Sequence, residues 1–464
     1  MDRHKHRPST QKVRRRAAGG KPAGGHELQR QGRKVRRADP RGVALGRTDP
    51  KVTGIGGLAA FNAFTRALGL DRELGRGFDH LKTGRSVVYP MSAQMQLVLD
   101  AAVCGAGRVF GLEALAADPL FAHLAGGTVP SVDTIYNDLR RFGADELEEL
   151  ERIVSRHGLA GVGPGQFDEV HLDVDTTVMP LFVSQQGARR GHNPRYRGRP
   201  SHHPLLARLA ETDTIVAARL RPGDTGLGEA DIEDVEVAID RVREAVGPDT
   251  VITVRIDAGG DCAALLDAID KKGCLFLVKA KQTARLLGLV AATTEWTTVD
   301  TDAEDQPTRQ VAEIDYRRAG WPEDKRYRLI VVRTNTRDTG RQVYLWEGLD
   351  YSVQLYVTND HARDANDLAF EYDKRAGIEP TIGELKHGLG IGKASSASFA
   401  ANEAAFLLKI LALNLMRRWI AQAVPAAARW RMPWIRELFV RIPGRLLRVG
   451  GRWQLRLSRP PMLG

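Results

Sequence analysis

Four stretches of this chain carry charged side chains at spacings able to support chemistry. Residues 169–178 read EVHLDVDTTV, an alternation that places Val170, Leu172 and Val174 on one face of a strand and His171, Asp173 and Asp175 on the other. Residues 251–257 read VITVRID, and Asp257 is followed at once by Ala258-Gly259-Gly260. Acidic residues at strand ends beside glycine are frequent ligand sites in α/β folds, because a bare backbone lets a ligand come close. Residues 371–386 read EYDKRAGIEPTIGELK. In a helix Tyr372, Arg375 and Glu379 stand at i, i+3 and i+7 on one face, and Lys386 follows seven residues later. Residues 185–200 hold five arginines, Arg195, Arg197 and Arg199 among them, and no acid, in a glycine- and proline-rich loop suited to phosphate.

Each stretch also has an ordinary reading. An aspartate before Gly-Gly forms turns or caps helices. A charged helix face is usually solvated and salt-bridged, and an arginine-rich loop can be plain surface. Pro380 directly follows Glu379; it removes a helical hydrogen bond and crowds the carbonyl of Ala376, so with Gly377 nearby the helix should kink or restart, leaving Glu379 at a helix start. His192, His202 and His203 match no common metal spacing. Cys104, Cys262 and Cys274 form neither a zinc pattern nor a disulfide framework, which fits a reducing cytoplasm.

The elements that must position these residues are legible from periodicity. Residues 55–160 read as helical, with apolar residues at helical spacing over 58–68, 91–103 and 145–157. Ser131 suits the N-cap of a short helix running through Phe142, and a helix-turn-helix over 112–142 competes with any small helical bundle. Strands are then expected over 169–178, 204–210 and 214–220, a helix over 231–245, a strand over 251–257, a helix from Asp261 and a strand over 274–281. Three strands, helix, strand, helix, strand predicts a mixed sheet with helices packed on its faces. Short β-like runs over 309–316, 327–334, 341–347 and 352–358, with turn-like stretches such as 335–340, predict an antiparallel meander. It interrupts the α/β region, since helical sequence resumes at Asp364 and continues to about Gln422. Trp296, Trp321 and Trp346 fall in this insertion, where core packing is the expected role of each.

Composition bounds the rest. The chain has 464 residues, 42% hydrophobic and 27% charged, enough for several domains with a sizeable core. There is no apolar signal-peptide core and no apolar run long enough to cross a bilayer, so no membrane partner is expected. The net charge of +11 is unevenly spread: residues 1–50 carry +11, residues 411–464 carry +10, and the body between them is acidic at −10. Basic ends around an acidic body suit a polyanion-binding protein with a carboxylate-rich centre. The expected division is a disordered basic tail (1–50), a helical N-terminal domain (51–165), a first core segment (166–284), a β-rich insertion (285–362), a second core segment with the Glu-bearing helix (363–424) and a basic C-terminal tail (425–464).

The Tyr-x2-Arg-x3-Glu-x6-Lys spacing of Tyr372, Arg375, Glu379 and Lys386 resembles the signature of insertion-sequence DDE transposases, bacterial enzymes that move DNA elements. LDVDTT and RIDAGG resemble the segments carrying that family's first and second aspartates. NPRYRGRPSHHPLL (193–206) and ExxIxELK (379–386) resemble the insertion sequence 1380 group, and the likeness covers roughly 165–420 in order. It implies an α/β fold with an RNase H-like mixed sheet and flanking helices, interrupted by the β insertion and preceded by the helical domain (51–165), which would be DNA-binding. It implies Asp175, Asp257 and Glu379 as catalytic and metal-binding carboxylates, with Asp173 the alternative to Asp175 and Glu384 the alternative to Glu379. Asp175 is preferred because Thr176-Thr177 follow it, as in the family.

The resemblance further implies that Tyr372, Arg375 and Lys386 contact DNA, joined by Arg195, Arg197 and Arg199. The cofactor would be two Mg2+ ions, Mn2+ substituting, since hard cations prefer carboxylate oxygen. The reaction would be cut-and-paste transposition at terminal inverted repeats, with double-stranded end DNA and target DNA as partners and a homodimer on DNA. An aromatic of the insertion would stack on a flipped base at the element's end. Rivals are an RNase H-like metal-dependent nuclease and a non-catalytic DNA-binding descendant of a transposase.

Overall fold

The structure, a computed structural model, describes residues 49–459 except 183, 194, 319–320, 322–324, 336–350 and 394–395. All but the last two positions of the expected basic arm, the strand expected over 341–347, and Trp346 lie outside the described residues.

A short strand β1 (Val52–Thr53) precedes seven helices: α1 (Leu58–Ala67), α2 (Leu70–Phe78), α3 (Met91–Cys104), α4 (Leu112–Ala116), α5 (Pro119–Leu124), α6 (Val132–Leu139) and α7 (Ala144–Leu159). Local rules set their ends. Gly105 closes α3 in the left-handed region, at φ 97°. The side chains of Asp118 and Ser131 cap α5 and α6 by accepting from the backbone N–H of Leu120 and of Thr134.

Next come β2 (Glu169–Thr176), the small pair β3 (Met179–Pro180) and β4 (Ser201–His202), then β5 (Leu205–Leu209), β6 (Thr214–Arg219), α8 (Ile232–Val246), β7 (Val251–Ile256), α9 (Ala263–Lys271), β8 (Leu275–Lys279) and α10 (Ala284–Ala292). The meander contributes β9 (Thr297–Thr301), β10 (Pro307–Tyr316), β11 (Tyr327–Asn335) and β12 (Tyr351–Thr358). After it follow α11 (Ala365–Asp373), α12 (Ile378–Gly383), α13 (Phe399–Ala423), α14 (Met432–Ile435), β13 (Gly444–Val449) and β14 (Arg452–Leu457).

Among the described residues one mixed sheet of nine strands, ordered β6-β5-β2-β7-β8-β12-β11-β10-β9, forms the centre of the fold. β7 runs parallel to β2 and β8 parallel to β7, while β5 and β6 are antiparallel. The meander is not a separate layer. β12 pairs with β8, Val357 opposite Val278, so the insertion continues the sheet outward from an edge that would otherwise leave backbone groups unpaired.

Among the described residues three apolar clusters hold this frame. Val170, Leu172 and Val174 turn toward α8 and α9, joining Val235, Ile239, Val242, Leu265 and Ile269. On the opposite face Leu368, Ala369 and Tyr372 of α11 pack on Leu277, Val311, Ile330 and Tyr356. The largest cluster joins α1, α3, α6 and α7 to α13, Ile378, Met432 and Phe439. The helices over 51–165 therefore share a core with the C-terminal third and are not a self-contained domain, which corrects the expected boundary at 165. The physical reason is α13: its apolar residues surround the whole helix rather than one stripe, so it needs partners on every side. α13 has the length and hydropathy of a membrane-crossing helix, yet most of it is buried in this core.

The edge strand β6 is covered by polar side chains from the same helices. Asn414 of α13 accepts from the Ile215 N–H (2.9 Å) and donates to the Ile215 carbonyl (2.7 Å), and Glu403 accepts from the Leu220 N–H at 3.0 Å. The C-terminal stretch is also corrected. Residues 425–459 form α14, a π turn and the hairpin β13–β14, whose sheet is completed by β1. Gly450 and Gly451 sit at φ 55° and 78°, the backbone of a tight two-residue hairpin turn that other residues resist. The prolines there stand at helix starts or between elements, where no ladder hydrogen bond is lost.

Candidate active site

Asp175 and Asp257 come together because of strand register. Val174 faces Ile256 across the parallel β2–β7 ladder; Asp175 is the next residue of β2, and Asp257 follows directly on the last residue of β7. The Asp175 side chain is 14% exposed, and its Oδ2 lies 3.1 Å from Arg375 Nη2. Its Oδ1 accepts from the Thr176 N–H at 2.7 Å. Burial pushes the Asp175 carboxyl up to about 6; the Asp257 charge pushes the same way, and Arg375 only partly offsets them. Asp257 accepts from the Gly259 N–H at 2.9 Å and caps the turn over 258–260, so its ordinary reading as a turn former holds too.

The stretch carrying Tyr372, Arg375, Glu379 and Lys386 keeps right-handed helical backbone but changes its hydrogen-bond pattern. A 3₁₀ turn (Lys374–Gly377) separates α11 from α12, and a π turn (Glu384–Gly388) follows. The helix restarts at Ile378, so Pro380 is its third residue, where the missing N–H would have no helical partner. Glu379 is the second residue of α12 and is exposed.

Tyr372 and Arg375 face inward, at 8% and 6% exposed. The Tyr372 hydroxyl donates to the Ile256 carbonyl at 3.2 Å, and Arg375 donates to the Val174 carbonyl at 3.4 Å as well as pairing with Asp175. Instead of presenting a DNA-facing surface, both hold the two strand ends that carry the aspartates. Lys386 is half-buried near Asp175; burial lowers its ammonium, Asp175 opposes that, and the nearby Arg195 adds to it. Arg195 and Arg197 are exposed, and the Arg199 guanidinium packs over the Phe182 ring at 4.4 Å.

Glu379 has no hydrogen-bond or ion-pair partner among the described residues, and among them no group of three His, Cys, Asp or Glu side chains is close enough to share a metal ion. The structure thus gathers Asp175 and Asp257 and leaves Glu379 outside. The two alternative carboxylates are occupied. Asp173 is fully buried between Arg255 (2.6 Å) and Arg208 (2.8 Å). Glu384 is buried against Arg417 at 2.6 Å and accepts from the Met432 N–H at 3.2 Å.

A buried network beneath the site went unread in the sequence. It runs from Glu211 through His171, Glu371 and Arg255 to Asp173, then through Arg208 and Asp213 to Arg417 and Glu384. Its signal was Arg208 and Arg255, charges inside otherwise apolar strands. The histidines pair with backbone: His202 with the Gln186 carbonyl, His203 with those of His192 and Thr225. Trp296 and Trp321 are partly buried against the core, and Arg333 lies 3.8 Å over the Trp296 ring.

A large mixed sheet flanked by helices, with paired carboxylates at the ends of adjacent parallel strands, defines the class of α/β protein. The chain belongs to the transposase DDE domain group 1 family, which it matches over residues 37–461. No curated protein matches it. Among solved structures it is similar to the cryo-EM structure of the piggyBac transposase synaptic complex with hairpin DNA, at 11% identity over 82% of this chain and 79% of that one, with a TM-score of 0.44.

Proposed function

We propose that this transposase-family chain is a metal-dependent DNA transposase that excises an insertion sequence of the 1380 type at its terminal inverted repeats and joins it to target DNA. The observation that carries the reading is the Asp175–Asp257 pair at the ends of β2 and β7, within a chain of this family. The strand order β6-β5-β2-β7-β8, with only β5 antiparallel to both its neighbours, supports an RNase H-like core.

The donor set fits a hard cation. Both side chains offer only oxygen, and the Asp175 carboxyl is raised by burial and by its acidic neighbour, a repulsion that a cation would relieve. Asp175 and Asp257 would hold Mg2+ or Mn2+, with Glu379 completing the set. Two such ions would activate the attacking oxygen and neutralise charge on the leaving oxygen.

The chain's own residues do the rest. Arg375 restrains Asp175, and Tyr372 fixes the strand end before Asp257. Lys386, with Arg195, Arg197 and Arg199 on the loop beside it, supplies positive charge where a phosphodiester would approach. The reading requires Glu379 to be drawn in when DNA and ions bind. The protein would act as a dimer on paired ends, in the cytoplasm on chromosomal DNA.

A strand-transfer assay with the cognate ends, target DNA and Mg2+ tests this reading. Cleavage and joining are expected. Cleavage without joining would favour a nuclease, and end binding without cleavage a non-catalytic DNA-binding protein.

A further inference from the structure

The C-terminal hairpin β13–β14 carries a one-sign charged surface that the site does not use. From residue 438 onward the sequence holds six arginines and no Asp or Glu. Arg448, Arg452 and Arg456 are exposed, and among the described residues none has a carboxylate within ion-pair distance. Arg456 stands directly across the ladder from Arg445. Trp453, 53% exposed, lies opposite Arg448, whose guanidinium is 6.0 Å from the ring centroid.

This arrangement is held in place and not left loose. Leu446 is buried, β1 pairs with β13, and Thr53 of β1 is tied to Asp118 by a 2.8 Å hydrogen bond. In the sequence the other strongly basic stretch, residues 1–50, ends one residue before β1.

We infer that the β13–β14 hairpin is a second DNA-binding element, which grips the phosphate backbone of duplex DNA through Arg452 and Arg456 on one face and Arg448 on the other, beside the turn, without reading its sequence. The inference rests on the transposase reading but does not use Asp175, Asp257 or Glu379. The competing explanation is edge protection, since β14 is an outer strand and charge discourages edge-to-edge pairing. Edge protection is satisfied by either sign, whereas a polyanion requires cations throughout.

The test measures binding of the full chain to a duplex carrying the inverted repeat and to an unrelated duplex, across a salt series. The triple variant Arg448→Gln/Arg452→Gln/Arg456→Gln should lower affinity for both duplexes alike and flatten the log affinity–log salt slope by roughly 3, about 0.9 per lost phosphate contact. The charge-reversal triple Arg448→Glu/Arg452→Glu/Arg456→Glu keeps the edge charged; it should remain monodisperse by sedimentation yet bind more weakly still. Unchanged slope and affinity in both variants, with the native circular dichroism spectrum, would overturn the inference, as would aggregation of the Gln triple with unchanged binding by its soluble fraction. If the unsubstituted protein binds neither duplex at low salt, the transposase reading itself falls.

Discussion

Asp175 and Asp257 lie side by side because Val174 and Ile256, the residues before them, are partners across the parallel β2–β7 ladder. Register puts one carboxylate next to the other, and Arg375, 3.1 Å from Asp175, is the cation that tempers their repulsion.

Replacing Asp175, Asp257 or Glu379 by Ala should each reduce strand cleavage by about a thousandfold or more, the scale of several kcal/mol of lost charge stabilisation. End binding should change little. Full cleavage by Glu379→Ala would remove Glu379 from the site. In the absence of DNA, Mn2+ should raise the melting temperature of the unsubstituted protein and of Glu379→Ala, but not of Asp257→Ala. A melting shift in Asp257→Ala equal to that of the parent would place the ion elsewhere.

Asp173 differs from Asp175 in what its loss exposes. Asp173→Ala leaves Arg255 and Arg208 buried without their shared carboxylate, and should cost about 3–5 kcal/mol of stability. Denaturant unfolding measures it. A loss under about 1 kcal/mol would mean that the network rearranges around the gap.

Arg375→Lys should lower cleavage while leaving the fold intact, because a single ammonium cannot reproduce the guanidinium's contacts with both Asp175 and the Val174 carbonyl. Tyr372→Phe removes one hydrogen bond to the Ile256 carbonyl and should cost about 1 kcal/mol of stability. If either residue met DNA directly, its variant would weaken end binding in a gel-shift titration. The structure predicts that binding is retained in both.

Asp100, on α3, is buried, and that burial pushes its carboxyl up to about 7 against hydrogen bonds from Gln96 and Asn62. Its folded-state value therefore lies above its unfolded one, near 3.9. The stability it contributes is fully present below that unfolded value and is lost as pH rises through about 7. Asp100→Asn keeps an oxygen to accept both hydrogen bonds and cannot ionise. The parent should lose on the order of 1–3 kcal/mol relative to this variant between pH 5 and pH 8, measured by denaturant unfolding at each pH. A gap that does not widen with pH would show that Asp100 is already ionised at pH 5.

By itself the sequence determined the local elements and the acidic positions within them. Alternation in EVHLDVDT set β2 and its two faces, VITVRID set β7, and Ser131 marked the start of α6, since these depend on near neighbours along the chain. The GG turn of β13–β14 was equally local, and the density of arginine and proline around it hid a legible hairpin. Which carboxylates are free was decided only by tertiary structure. Asp173 and Asp175 share one strand face, but Arg208 and Arg255 reach Asp173 from neighbouring strands and leave Asp175 to Arg375. Glu384 is likewise taken by Arg417 of α13. The joining of the meander to β8 and of the N-terminal helices to α13 was also beyond the sequence, because both depend on which distant apolar and backbone surfaces meet.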